Sequence, residues 1–235
     1  MVKVIVAPDK FKGCLTAAKV ADALGRGLLD ARPDLELVKL PVADGGDGTV
    51  AAAVGAGYTP IVTRAVGPTG QPVEAVYAQA GWRAVVELAA VVGLDRLPGG
   101  LLDPQGASTF GLGQVIADAI GRGATQIVLG LGGSASTDGG AGMVQALGAR
   151  LLNADGADLA PGGAALADLA TLDLAQLRAA LGSTAFLVAS DVDHPLLGPN
   201  GAAAIFGPQK GAGEEDLAIL AVSYTHLTLP TTPYV

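Results

Sequence analysis

The segment VKVIVAPDKFKGCLTAAKVADALGRGLLD, residues 2–30, decides the architecture. Residues 2–7 are a short β-branched run stopped by Pro8-Asp9, which predicts a buried parallel strand. Thr16 is placed to cap a helix rich in Ala and Leu over residues 17–30. Residues 35–42 predict a second strand, and the loop ADGGDG then leads into a helix over 49–54. The order β-α-β-α favours a Rossmann-like layer, in which ligands bind at the carboxyl ends of parallel strands.

The pattern changes near Ile61. Residues 61–66, 73–80 and 83–88 are short strand candidates, separated by GPTGQP and Gly81, and turn chemistry at that spacing predicts antiparallel hairpins. A helix over 110–121, a strand over 126–131, a helix over 140–148 and a strand over 186–190 follow. The expected fold class is therefore α/β: a Rossmann-like parallel-sheet domain interrupted by a second α/β domain with mixed or antiparallel strands. Residues 1–64 are assigned to the first domain and 65–221 to the second. From Ser223 the chain reads SYTHLTLPTTPYV, uncharged and crowded with Thr, Tyr and Pro, so residues 222–235 are expected to be a foreign tail.

Of the 235 residues, 50% are hydrophobic, enough for a substantial core, while only 4% are aromatic, which leaves little for base stacking. A net charge of −8 argues against nucleic-acid or membrane-surface partners, because phosphate backbones and anionic lipid heads are repelled. Cys14 is the single cysteine, so no intrachain disulfide can form; it reads as a small buried residue in a reducing cytoplasm. No stretch is long and apolar enough to span a bilayer.

Four segments place Gly, Asp, Ser/Thr or Lys after a strand end, where backbone N–H groups can approach an anion without hindrance from Cβ. VIVAPDKFKGCLTA carries Asp9, Lys10 and Lys12 between a strand and a helix start; the plainer alternative is a polar turn with solvated lysines. In PVADGGDGT, Asp44 and Asp47 bracket two glycines and are spaced to share Mg²⁺ or position a hydroxyl, although Asp47 also suits a helix cap. VLGLGGSASTDGGAG contains Gly130, Gly132 and Ala135 in a loose dinucleotide pattern, yet the loop runs on through Ser134, Ser136, Thr137, Asp138, Gly139 and Gly140 before any helix. That length fits a phosphate cradle better, and no P-loop motif is present. SDVDHPLLGPNGAAAIFGPQKGA supplies Asp191 and Asp193 after a strand and Lys210 in a turn, with His194 read as a loop hydrogen-bonder.

Together these segments resemble the bacterial glycerate kinase family. PDKFKGCLTA, ADGGDGT, GLGGSASTDGGAG and DVDHPLLGPNGAAAIFGPQKGA are similar to its signatures, as are VVELAAVVGL with Glu87 and ASTFGLGQVI with Ser108 and Thr109. His194 and Ser190 depart from the residues common there, Asn and Cys. The resemblance implies a two-domain kinase that phosphorylates D-glycerate with ATP and Mg²⁺, the 2-phosphoglycerate product being favoured. It also implies that relatives continue beyond this chain, leaving a sheet edge of the first domain exposed.

Both ATP and glycerate are anions, so an acidic chain must bind them in a locally positive pocket. Within that reading, Gly132, Gly133, Ser134, Ala135, Ser136, Thr137, Asp138, Gly139 and Gly140 are assigned to the nucleotide phosphates. Lys12 steadies the transferring phosphate, and Asp191 orients Mg²⁺ or the attacking hydroxyl. Asp9, Lys10, Asp44, Asp47 and Lys210 are assigned to the hydroxy acid. Two rival readings are a non-catalytic nucleotide- or metabolite-binding domain and a nicotinamide-dependent oxidoreductase, the latter needing Asp155 as ribose partner.

Overall fold

The computed structural model describes residues 2–11 and 14–228. Strand β1 (Lys3–Val6) leads to helix α1 (Ala17–Ala31), whose first turn is capped by Thr16 accepting from the Lys19 N–H at 3.3 Å. Strand β2 (Glu36–Lys39) pairs parallel with β1, and helix α2 (Thr49–Gly55) follows. Strands β3 (Thr59–Val66), β4 (Pro72–Ala80) and β5 (Arg83–Glu87) form antiparallel neighbours. Helices α3 (Ala89–Val92) and α4 (Phe110–Gly121) precede strand β6 (Gln126–Gly130) and helix α5 (Ala141–Ala146). Strands β7 (Arg150–Leu152) and β8 (Thr171–Asp173) make a separate antiparallel ribbon. Helix α6 (Ala175–Leu181), strand β9 (Ala185–Ala189), helix α7 (Ala202–Phe206) and helix α8 (Glu214–Thr228) complete the chain.

The fold is mixed α/β. Its central sheet has the order β3-β4-β5-β6-β9, antiparallel through β5 and parallel from β5 to β9. One face carries the main core, where Tyr77, Val86, Leu112, Ile116 and Ile127 are completely or almost completely buried between sheet and helices. The other face receives α2, through Val50 packed with Ala78 and Val85. This packing matters for the site because it lays the loop before α2 across the ends of β5, β6 and β9.

Two sequence expectations change. Strand β1 is parallel to β2 as expected but is not buried: of its four residues Val6 alone is, and Ile5 is 62% exposed, because among the described residues α1 is the main element packed on this two-stranded sheet. Cys14 is exposed rather than packed. The composition break at Ser223 is not a break in secondary structure, since α8 runs through it to Thr228. Its hydroxyls fold back onto the helix, Ser223 Oγ donating to the Ile219 carbonyl at 3.1 Å and Thr225 Oγ1 to that of Ala221 at 2.9 Å. The rest of the expected tail lies outside the described residues. The boundary expected at residue 64 falls inside β3, all eight residues of which pair with β4.

Gly113, within α4, lets that helix approach α5. A Cβ there would sit 2.3 Å from the Met143 carbonyl oxygen. Helix propensity alone favours Gly113→Ala by about 1 kcal/mol. We expect the reverse, a loss of roughly 1–3 kcal/mol from overpacking, read as a lower urea midpoint.

Candidate active site

The carboxyl ends of the three parallel strands present one cross-strand row, in which Glu87 of β5 pairs with Gly130 of β6 and Gly130 with Ala189 of β9. The loop at residues 44–48 lies directly on this row. Gly45, at φ +88°, is so close that a Cβ would meet the Ala189 carbonyl oxygen at 2.2 Å. A Cβ on Gly130 would meet the Gly45 carbonyl oxygen at 2.5 Å, and one on Gly132 would meet the Gly46 Cα at 2.6 Å. The Gly132 N–H donates to the Gly45 carbonyl at 3.0 Å. Two loops far apart in sequence thus touch backbone to backbone, which only glycines permit.

Glu87 is buried at 6% exposure, and its carboxylate accepts from the Val50 N–H at 2.9 Å and the Gly48 N–H at 3.2 Å. It therefore caps α2 from a different element. The expected local cap, Asp47, does not act: the residue before α2 is Gly48, without a side-chain cap, and Asp47 is exposed. Burial raises the Glu87 carboxyl above its ordinary value, opposed by those two N–H groups.

Lys10 reaches the same loop from the end of β1. Its Nζ donates to the Asp47 carbonyl at 2.8 Å and lies 3.4 Å from Asp44 Oδ1. The Asp44 carboxylate also accepts from the Gly46 N–H at 2.9 Å, which, with Lys10 adding, holds it below the usual carboxylate range. Beside this loop lies a cleft of about 230 Å³ lined by Asp44, Gly132, Gly133, Ser134, Asp191 and Lys210 among others. Asp191 is exposed on the loop after β9. Lys210 arrives from the turn after α7, its Nζ donating to the Ser136 carbonyl, and burial pushes its ammonium down to about 8 while the charge of Asp138 opposes the shift.

The expected cradle over residues 132–140 divides into two parts. Gly132, Gly133 and Ser134 line the cleft; Ala135, Ser136, Thr137, Asp138, Gly139 and Gly140 do not. Asp138 is 1% exposed and turned inward, accepting from the Thr109 N–H at 2.7 Å, the Thr109 hydroxyl at 2.8 Å, the Gly142 N–H at 3.1 Å and the Gly140 N–H at 3.1 Å. A carboxylate so occupied holds the loop together and does not face a phosphate. The Thr137 hydroxyl is likewise spent on the Pro104 carbonyl at 2.5 Å. The N–H groups of Ala135 and Ser136 donate to the Val92 carbonyl and Ser134 Oγ. Sequence reading missed Ser108 and Thr109 as partners of Asp138 and Glu87 as a cap; the one signal was a charged or hydroxylated residue inside an apolar run.

Asp9 is exposed, accepts from the Lys10 N–H at 2.7 Å and does not line the cleft. Lys12 lies outside the described residues. His194, expected as a hydrogen-bonder, meets Phe206 edge-on with ring centroids 5.1 Å apart. Among the described residues no cluster of three or more His, Cys, Asp or Glu could hold a metal, and no helix is long and apolar enough to cross a membrane. The dinucleotide reading fails on geometry. Strand β6 ends at Gly130 but α5 begins only at Ala141, and Asp155 sits exposed in a turn, its N–H bonded to Asn153 Oδ1 at 3.0 Å.

A family model described as the glycerate kinase family matches residues 4–231. This chain belongs to the glycerate kinase family. It is 45% identical over 227 residues to a glycerate kinase of Bacillus subtilis (strain 168), covering 95% of this chain and 59% of that protein. It is 44% identical over 230 residues to a glycerate 2-kinase of Escherichia coli (strain K12), covering 95% and 60%. A crystal structure of a candidate glycerate kinase 2 from Salmonella typhimurium LT2 superimposes with a TM-score of 0.88 at 43% identity, covering 96% of this chain and 61% of that one. The chain thus spans about three fifths of the length of these glycerate kinase relatives.

Two outcomes follow from the geometry. Gly45→Ala and Gly48→Ala both force a non-glycine residue to positive φ, but only Gly45 is jammed against Ala189, whereas Gly48 faces open space. Gly48→Ala should cost about 1 kcal/mol and Gly45→Ala clearly more, compared by urea denaturation. Lys210 in the folded chain titrates near 8, below the ordinary lysine value of 10.5. Between those values the unfolded chain holds the extra proton, so stability should rise with pH there. Lys210→Met should flatten that rise in melting temperatures recorded from pH 7.5 to about 10.5.

Proposed function

We propose that this chain supplies the substrate cleft of an ATP-dependent glycerate kinase, moving the terminal phosphoryl group of ATP to D-glycerate, with the 2-hydroxyl favoured. The observation that carries the reading is that loops from four distant stretches meet at one cleft bearing both carboxylates and a lysine. Phosphoryl transfer depends on such positioning and charge neutralisation more than on covalent chemistry.

In this reading Gly133 and Ser134 face the nucleotide phosphates, with Gly132 letting them come close. Lys210 meets the glycerate carboxylate, and Lys10 fixes Asp44 at the acid side of the cleft. Asp191 orients the attacking hydroxyl. Lys12 keeps the role that its family segment implies, on the transferring phosphate. The donor set also suits Mg²⁺, which is commonly held by one or two carboxylates plus phosphate oxygens, and here Asp44 and Asp191 share the cleft. When bound, Mg²⁺ would neutralise phosphate charge. A single cysteine and the acidic surface suit a reducing cytoplasm with small-molecule partners rather than nucleic acid or membrane.

Asp191→Asn, made here and at the aligned position of the full-length Bacillus subtilis relative, should lower D-glycerate-dependent ADP formation by about a hundredfold to a thousandfold. A loss below about tenfold would remove Asp191 from this role. ATP binding without any glycerate-dependent ADP formation in either protein would favour a metabolite-binding domain instead.

A further inference from the structure

We propose that Glu87 is a positioning residue for the hydroxy-acid side of the cleft, acting through the loop at residues 44–48 and Lys10. The proposal rests on the kinase reading above and deepens it.

Glu87 does not line the cleft, so it cannot touch a substrate there. It is nonetheless a nearly buried carboxylate, and burying a charge is costly unless hydrogen bonds compensate it. Its partners are the Val50 and Gly48 N–H groups at the start of α2. Capping that helix does not require this expense, because Asp47 stands beside Gly48 and belongs to a residue type well suited to caps. A local cap would tie the loop only to its own helix. Glu87, fixed in β5 by pairing with Gly130, ties it to the sheet.

The consequence reaches the cleft in two bonds. The loop held by Glu87 offers the Asp47 carbonyl and the Asp44 carboxylate to Lys10 Nζ, at 2.8 and 3.4 Å. Asp44 in turn lines the cleft. An ionised carboxylate only accepts: here Oε2 takes the Val50 and Gly48 N–H groups together, and Oε1 shares the Gly48 N–H. Glu87→Gln turns one oxygen into an NH₂ group, and in either amide orientation the Gly48 N–H then faces another donor.

The test is a double-mutant cycle on D-glycerate binding by this chain, measured calorimetrically, using Glu87→Gln, Lys10→Met and both together. If Glu87 acts through Lys10, Glu87→Gln weakens glycerate binding at least tenfold in the parent but less than threefold in the Lys10→Met background. Additive losses would overturn the inference, because a purely structural role does not depend on which lysine is present. Hydrogen exchange guards against a variant that merely unfolds. In Glu87→Gln the Gly48 amide should exchange at least tenfold faster while β5 amides are unchanged. Unchanged exchange at Gly48 would also overturn it. A parent chain that binds no D-glycerate would sink the kinase reading together with this one, whereas binding with additive losses sinks this one alone.

Discussion

Everything at the site depends on a backbone-to-backbone contact: Gly45 and Gly46 pressed onto Gly130, Gly132 and the Ala189 carbonyl. Ordinary residues hold chain segments apart by the width of their side chains. Here the loop before α2 must lie on the ends of β5, β6 and β9, and the contact distances leave no space for a Cβ. The 35 glycines of the sequence are thus not merely a sign of flexible loops. Several of them are the condition for closure. Without the contact, Asp44 and Lys10 would be displaced from Gly133 and Ser134, and the cleft would lose one wall.

The electrostatics follow from that geometry and differ from a simple positive pocket. Lys10 is engaged with Asp44 and the Asp47 carbonyl, and Lys210 with the Ser136 carbonyl. Neither is a loose point charge. Lys210 is in addition weakened as a cation by burial. Among the described residues the cleft is lined by two carboxylates and a single lysine, a balance that by itself would repel a polyphosphate. Such a balance suits an anion that arrives with its own cation, and the proposed role for Mg²⁺ rests on that chemistry.

Much of the fold was legible from period and punctuation. The helix over residues 110–121 was expected with the bounds observed, because its apolar spacing is strong and a turn signal follows at Gly123. The Thr16 cap was legible because capping chemistry is local. The failures share a cause. Burial of β1 was misjudged because a β-branched run reports strand propensity and says nothing of how many layers will cover it. The cap of α2 was misassigned because Glu87 is remote in sequence. The cradle was drawn too long because Asp138 and Thr137 look identical, as letters, to residues that face a ligand. Their inward orientation depends on Thr109 and Pro104, which no spacing rule connects to them.

Glu87 and Asp138 together suggest why an acidic chain places carboxylates inside. Each gathers N–H groups at the start of a helix, α2 for Glu87 and α5 for Asp138, and each ties that helix start to another part of the fold. A hydroxyl could cap one N–H, but a carboxylate offers two oxygens and about four lone-pair sites, and its charge strengthens every bond it accepts. Asp138 uses that capacity to lock the far half of the glycine-rich loop onto α4. The near half, Gly132 to Ser134, is then left to the cleft. The division is not arbitrary: a loop that must present backbone to a ligand needs a rigid base. Here the base is a buried carboxylate that does not line the cleft.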